Sequence, residues 1–308
     1  MAPSGEQFEV CLGEQRATIV EVGGGVRRYS AGERDVLDPY PPQAICDGAH
    51  GTPLIPWPNR LGDGLYSFDG VEHQLALSEP ARHNASHGLL RWRAWRVLEH
   101  QAERVTMGIR LHPTPGYPFA LDVEIEYSLS DDGLAVCTSA TNIGERSCPY
   151  GAGQHPYLSA GPGLLDECEL QLRAGSYITV DEERRLPTGR APVAGSAADF
   201  SDARPIAASS LDLAFADLQR DENGLAWVLL TGPDGCCVEM WVDEHHPFLQ
   251  LYTGDTLAVE RRRRGLAAEP MTCAPNAFQS GEGLMRLEPG QSLASRWGVR
   301  LRPARSDA

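Results

Sequence analysis

Apolar residues in this chain recur at every second position, segment after segment, and that period fits half-buried β-strands rather than helices. Leu121, Val123, Ile125, Tyr127 and Leu129 alternate with Asp122, Glu124, Glu126 and Ser128. Asp131-Asp132-Gly133 then turns the chain, and Leu134, Val136 and Thr138 resume the alternation. Tyr66 and Phe68 lead through Asp69-Gly70 into Val71, His73, Leu75 and Leu77, the pattern of a hairpin. Residues 92–98 and 105–111 read as a further pair, as do 225–231 and 237–242, joined through Pro233-Asp234-Gly235. Phe8, Val10 and Leu12 alternate near the N-terminus, 17–22 run to Gly23-Gly24-Gly25, and 293–301 follow a Pro289-Gly290 turn. No helical stripe flanked by caps interrupts this, and 32 Gly with 23 Pro suit a fold of many tight turns. The least regular stretch, 187–210, reads as a long surface loop. Short strands at regular spacing, undivided by a Ser/Gly-rich linker, predict an all-β fold: one large antiparallel sandwich or barrel domain over residues 1–308.

Charge narrows the partners. Lys+Arg 27 against Asp+Glu 42 leaves a net charge of −15, which repels phosphate backbones and anionic membranes. Nucleic acid and membrane are therefore excluded as expected partners, and no apolar run approaches the ~18 residues of a membrane span. The opening MAPSGEQFEV lacks the basic start and apolar core of a secretory signal. The 8 cysteines contain no CxxC pair and no metal-finger spacing. Reduced thiols in a cytoplasmic protein, with no bound metal, are the expectation.

Four segments break the alternation and gather polar residues. In Gly51-Thr52-Pro53-Leu54-Ile55-Pro56-Trp57-Pro58-Asn59-Arg60, three prolines stiffen an extended path that presents Asn59 and Arg60 with little freedom. A structural ion pair for Arg60 is the competing reading. Asn84-Ala85-Ser86-His87-Gly88 and Gly153-Gln154-His155-Pro156-Tyr157 each set a histidine beside a backbone-restricting residue. In Ala268-Glu269-Pro270-Met271-Thr272, Glu269 sits among apolar neighbours, where a carboxylate is either paired, for instance with Arg264, or shifted in pKa as a general base is. A carboxylate, two imidazoles and an arginine, with no Ser-His-Asp order and no phosphate loop, suit proton transfer on a neutral polar substrate better than acyl or phosphoryl transfer.

The order PNR, N-x-x-HG, HPY and a late EPMT resembles the aldose 1-epimerase (galactose mutarotase) family, in the branch common among actinobacterial sequences. Gly116-Tyr117-Pro118, the strand from Phe248 to Asp255 and Pro275-Asn276-Ala277-Phe278 extend the match from about Val22 to about Leu301. The resemblance implies a galactose mutarotase-like supersandwich with a sugar cleft on a concave face. It implies interconversion of the α and β anomers of a free hexose such as glucose or galactose, without cofactor, by a monomer or homodimer. Glu269 would be the base at the anomeric hydroxyl and His155 the acid at the ring oxygen. Arg60, His87, Asn59, Gln250 and Asp212 would hold hydroxyls, while Trp57, Tyr157 and Tyr252 are candidates for the apolar sugar face or for core packing. Two departures stand out: Leu213 follows Asp212 where galactose-type members carry His, and Leu89 stands where they often carry Gly. The arginines at 261–264 raise a hexose-6-phosphate 1-epimerase as the alternative. A non-catalytic sugar-binding protein would need neither Glu269 nor His155. A glycosidase would need two carboxylates flanking one bond.

Overall fold

In the computed structural model, which describes residues 2–304, two large antiparallel sheets lie face to face. The first has 12 strands. From one edge run Gln7–Leu12, Gln15–Val20, Val26–Ala31, Arg34–Leu37, Tyr157–Leu158, Leu266–Met271, Phe248–Tyr252, Asp212–Leu218, Ala174–Val180 and Pro187–Pro192. Gly153–Gln154 and Pro53–Leu54 join it beside Leu266–Met271. The second sheet has 9 strands and runs from Arg96–His100 through Leu121–Ser130, Gly133–Asn142 and Ser292–Arg302 to Arg204–Pro205. Three hairpin-sized pairs decorate the pair of sheets, and the one α-helix among the described residues is Ala277–Ser280.

The alternation read from the sequence is the packing pattern. Along Leu121–Ser130 the apolar residues are buried and their neighbours partly exposed. Val10, Ile19 and Tyr29 from the first sheet join Val123, Ile125, Tyr127 and Val136 from the second in one apolar cluster. Burying each such side chain contributes about 1.5–3 kcal/mol.

Two expectations are corrected. Within 187–210, expected to be loop, Pro187–Pro192 forms the edge strand beside Ala174–Val180, and Arg204–Pro205 pairs with Glu169 and Leu170. Prolines there mislead because an edge strand needs ladder hydrogen bonds on one side only. The pair expected from 92 starts later, at Arg96–His100, leaving Trp92 51% exposed.

One polar bridge crosses the core. The Trp297 indole N–H donates to Gln154 Oε1 (3.1 Å), and Gln154 Nε2 donates to the Tyr127 hydroxyl (2.9 Å) and to the Gly51 carbonyl (3.1 Å). Tyr127 in turn donates to the Gly24 carbonyl at 2.8 Å. This ties the second sheet to the residue directly before His155. Gln154→Leu strands the Trp297 donor in the core, so unfolding in urea should show a loss of about 1–3 kcal/mol at unchanged m-value. A midpoint equal to wild type would show that the bridge contributes nothing.

Candidate active site

Strand register assembles the first row of polar side chains. Gly153 pairs with Met271 and Tyr157 with Ala267, so His155 and Glu269 face one another between those pairs. Across the other edge of the same strand Glu269 pairs with Gln250, and Gln250 with Ala214, two residues from Asp212. Leu249, Leu251 and Ala268 point into the core. Since neighbours along a strand point to opposite faces, Gln250 and Glu269 point away from it.

The Pro-rich segment covers that face. Arg60–Gly62 pairs with Asn84–Ser86, and the Asn59 carbonyl accepts from the His87 backbone N–H at 2.9 Å. Asn59 adopts φ 55° and its Oδ1 accepts from the Arg60 N–H at 2.8 Å, a local bond that suits Asn to this conformation. Gly88 follows His87 because nothing larger fits: its φ is +70°, and a Cβ would lie 2.0 Å from the Ile55 carbonyl oxygen. The result sets the His87 ring edge-on to His155, 5.5 Å between centroids.

Between the sheet face and this cover lies a cavity of about 670 Å³. His155, Glu269, Asn59, Arg60, His87, Asp212, Gln250, Tyr157 and Tyr252 all line it. The His155 Nε2 and Glu269 Oε1 atoms are 3.3 Å apart, on residues 5% and 2% exposed. Glu269 Oε2, His155 Nδ1 and His87 Nδ1 are buried without a hydrogen-bond partner. Gln250 Nε2 donates to Asp212 Oδ1 (2.6 Å), and Arg185 holds Asp212 Oδ2 at 3.0 Å. Arg60 donates through Nε to Glu79 at 2.9 Å and approaches Asp212 at 3.9 Å. Tyr157 stacks between His155 (5.0 Å) and His50 (3.7 Å), its hydroxyl donating to the Gly48 carbonyl.

Three alternatives that the sequence left open are narrowed here. Trp57 does not line the cavity; it is in the core, its ring 5.6 Å from Phe278. Its position two residues before Asn59 suggested the site, but the left-handed backbone at Asn59 (φ 55°) breaks the alternation that would put both on one face. Glu269 is not paired with Arg264, which approaches the buried Asp38 instead. Nor do the arginines 261–264 form a phosphate cradle at the cavity. Arg261 binds Asp38 at 3.0 Å and the Pro39 carbonyl, and Arg263 binds Asp166 and Asp255. Conversely, Glu79 and Arg185 were missed, because isolated charges near turns carry the same pattern as a solvated surface.

Burial dominates the electrostatics. It pushes the Glu269 carboxyl well above the usual carboxylate range, reinforced by Asp212 and opposed by Arg60. It drives the His155 imidazole down to about 3, with His50, Arg91 and Arg60 adding repulsion. His87 is lowered well below 6.5, first by burial and then by His155 and nearby arginines. Both members of the pair thus favour their uncharged forms. A proton can sit on either Glu269 or His155, and moving it between them creates or removes two charges without changing their sum. That arrangement can take a proton from one atom of a ligand and give one to a neighbour. Among the described residues no group of three His, Cys, Asp or Glu side chains is placed to hold a metal ion.

Comparison with known proteins points the same way. The family profile described as aldose 1-epimerase matches residues 8–300. The protein YihR of Escherichia coli, described as uncharacterized, is 37% identical over 295 residues, covering 94% of this chain and 91% of that one. The aldose 1-epimerase of Escherichia coli is 26% identical over 273 residues, 80% of this chain and 78% of its own. Among solved structures, a GalM/aldose epimerase homologue from C. elegans superposes with a TM-score of 0.86 at 17% identity, over 97% of this chain and 99% of that one. The fold is that of the galactose mutarotase-like proteins, and the chain belongs to the aldose 1-epimerase family.

Proposed function

We propose that this protein is an aldose 1-epimerase that opens and recloses the ring of a bound hexose, with Glu269 and His155 as its proton-transfer groups. The observation that carries the reading is their 3.3 Å approach at the wall of one cavity. The unpartnered Glu269 Oε2, His155 Nδ1 and His87 Nδ1 nearby support it, since buried polar atoms are ordinarily satisfied and a polyhydroxylated ligand would satisfy them. Glu269 takes the proton of the anomeric hydroxyl while His155 delivers one to the ring oxygen. The C1–O5 bond breaks, the open aldehyde turns about C1–C2, and attack on its other face reverses both transfers. Arg60, His87, Asn59, Gln250 and Asp212 hold hydroxyls, and Tyr157 and Tyr252 flank the ring. Each proton-transfer group contributes about 10²–10⁴-fold.

The uncharged pair that burial favours, with the proton on Glu269, is the state that ring opening leaves behind. Binding of the cyclic sugar moves that proton across the contact to His155, generating the base and the acid together. A large apolar cluster drawing on both sheets supports a single domain, which we place in the cytoplasm. The order of the four motifs is what supports an actinobacterial-type branch, and a monomer or homodimer would suffice.

Two measurements test this. Polarimetry of freshly dissolved α-hexose should show wild type speeding the approach to equilibrium, and Glu269→Gln or His155→Asn slowing it by about 10²–10⁴-fold with unchanged circular dichroism. Wild-type protein that accelerates no aldose contradicts the reading. The second is the pH profile. The pair is competent whenever it holds one proton, so activity is lost to acid only when His155 gains a second, near its lowered value of about 3. It is lost to alkali when Glu269 releases its proton, above the usual carboxylate range. Acidification through the ordinary imidazole value of about 6.5 should therefore leave kcat/KM undiminished; a tenfold fall on that acidification would contradict the shared proton.

A further inference from the structure

The proposed chemistry needs the His155 imidazole aimed at Glu269 and at a sugar ring oxygen. An acid or base of this kind is ordinarily oriented by a third group, bonded to its other nitrogen. Here that bond is missing: His155 Nδ1 is buried without a partner, and Nε2 faces Glu269 at 3.3 Å. What lies against the ring instead is Tyr157. Residues two apart on an extended chain share a face, so the step through Pro156 sets Tyr157 beside His155, their rings 13° from parallel and 5.0 Å apart. On the other side of Tyr157 lies His50, 5° from parallel at 3.7 Å. Three rings thus form one column, with His155 at the cavity and His50 at the far end.

The far end is the anchored one. His50 is 2% exposed. Its Nδ1 donates to the Asp47 carbonyl at 2.9 Å, and its Nε2 lies 2.8 Å from Arg261 Nη2 and 3.2 Å from Asp38 Oδ2. Arg261 is itself fixed, at Asp38 (3.0 Å) and at the Pro39 carbonyl (2.8 Å). Tyr157 is tethered too: its hydroxyl donates to the Gly48 carbonyl at 2.9 Å, and its backbone carbonyl accepts from the Asp38 N–H at 2.8 Å. His155 has no such tether beyond the contact with Glu269 that it must serve; Tyr157 covers its face and His87 meets it edge-on. Offset stacking between aromatic rings favours a fixed mutual plane, so the orientation held at His50 passes through Tyr157 to His155. We propose that His50 is a positioning residue for the reaction proposed above: acting through Tyr157, its flat ring holds the His155 imidazole at the angle that proton transfer to the sugar requires. This step rests on His155 being the acid, and it gives a role to a histidine that does not touch the substrate.

Two substitutions separate the ring from its hydrogen bonds. His50→Phe keeps a flat ring and gives up both nitrogens, whereas His50→Gln keeps a polar amide for Asp47 and Arg261 and gives up the ring. Anomer exchange of glucose or galactose, followed by NMR, should show His50→Gln lowering kcat by ~10–100-fold with KM within ~3-fold of wild type. His50→Phe should keep kcat within ~3-fold of wild type even where its melting temperature falls. The opposite order, with Gln active and Phe impaired, means that His50 only ties its loop to Arg261 and overturns the inference, as do equal effects of the two. Crystal structures of both variants read the same point without turnover. His155 should keep its plane and its approach to Glu269 in His50→Phe, and should rotate or withdraw in His50→Gln. Should His50→Gln not fold, Tyr157→Leu removes the middle ring and should displace His155 likewise. An unmoved His155 in the variant that lacks the stack overturns the inference. Wild-type protein that epimerises no aldose sinks the sugar reading instead, and the crystallographic comparison still decides whether His50 sets the plane.

Discussion

The antiparallel ladder through Leu266–Met271 brings two buried ionisable groups, Glu269 and His155, face to face. That strand pairs with Gly153–Gln154 and Tyr157–Leu158 on one edge and with Phe248–Tyr252 on the other. Its register turns Ala268 into the core and Glu269 away from it. A slip of one residue would exchange them, putting a carboxyl among leucines and an alanine at the cavity. Sheet register is strongly specified when one face is apolar, so the same packing that stabilises the sandwich also sets the geometry of the Glu269–His155 pair. The Gln154 bridge adds a second constraint, fixing the backbone of the neighbouring residue from inside the core.

Burial then decides the protonation states. A carboxyl and an imidazole removed from water both resist charge, and each would be inert as a base or acid on its own. Set 3.3 Å apart, they are placed so that a proton passing from one to the other would cost far less than ionising either group separately. In the proposed reaction, sugar hydroxyls that bond to the ionised forms would tip the balance. The surrounding ion pairs, Arg60 with Glu79 and Arg185 with Asp212, keep the other charges in place.

Much of this was legible in the chain. The strict alternation from Leu121 to Leu129 named its own strand and its buried face, because one side of the sheet is apolar and the other is not. Glu269 and His155 stood out for the same physical reason that the structure gives: polar groups inside rigid, apolar, proline-marked segments. What the sequence did not show was reach. The arginines at 261–264 looked like an anion site, but their long side chains fold back onto Asp38, Asp166 and Asp255. Trp57 was drawn to the cavity by its neighbours Asn59 and Arg60, although the left-handed turn at Asn59 breaks the alternation and leaves Trp57 in the core. Edge strands such as Pro187–Pro192 escape notice because they need neither apolar alternation nor a complete set of backbone donors.

The most direct test of the central claim is a crystal structure of Glu269→Gln with a bound cyclic aldose. The account predicts one sugar in the cavity, its anomeric oxygen within ~3 Å of the residue 269 side chain and its ring oxygen within ~3 Å of the His155 imidazole. A sugar bound with both oxygens away from these two side chains would contradict it.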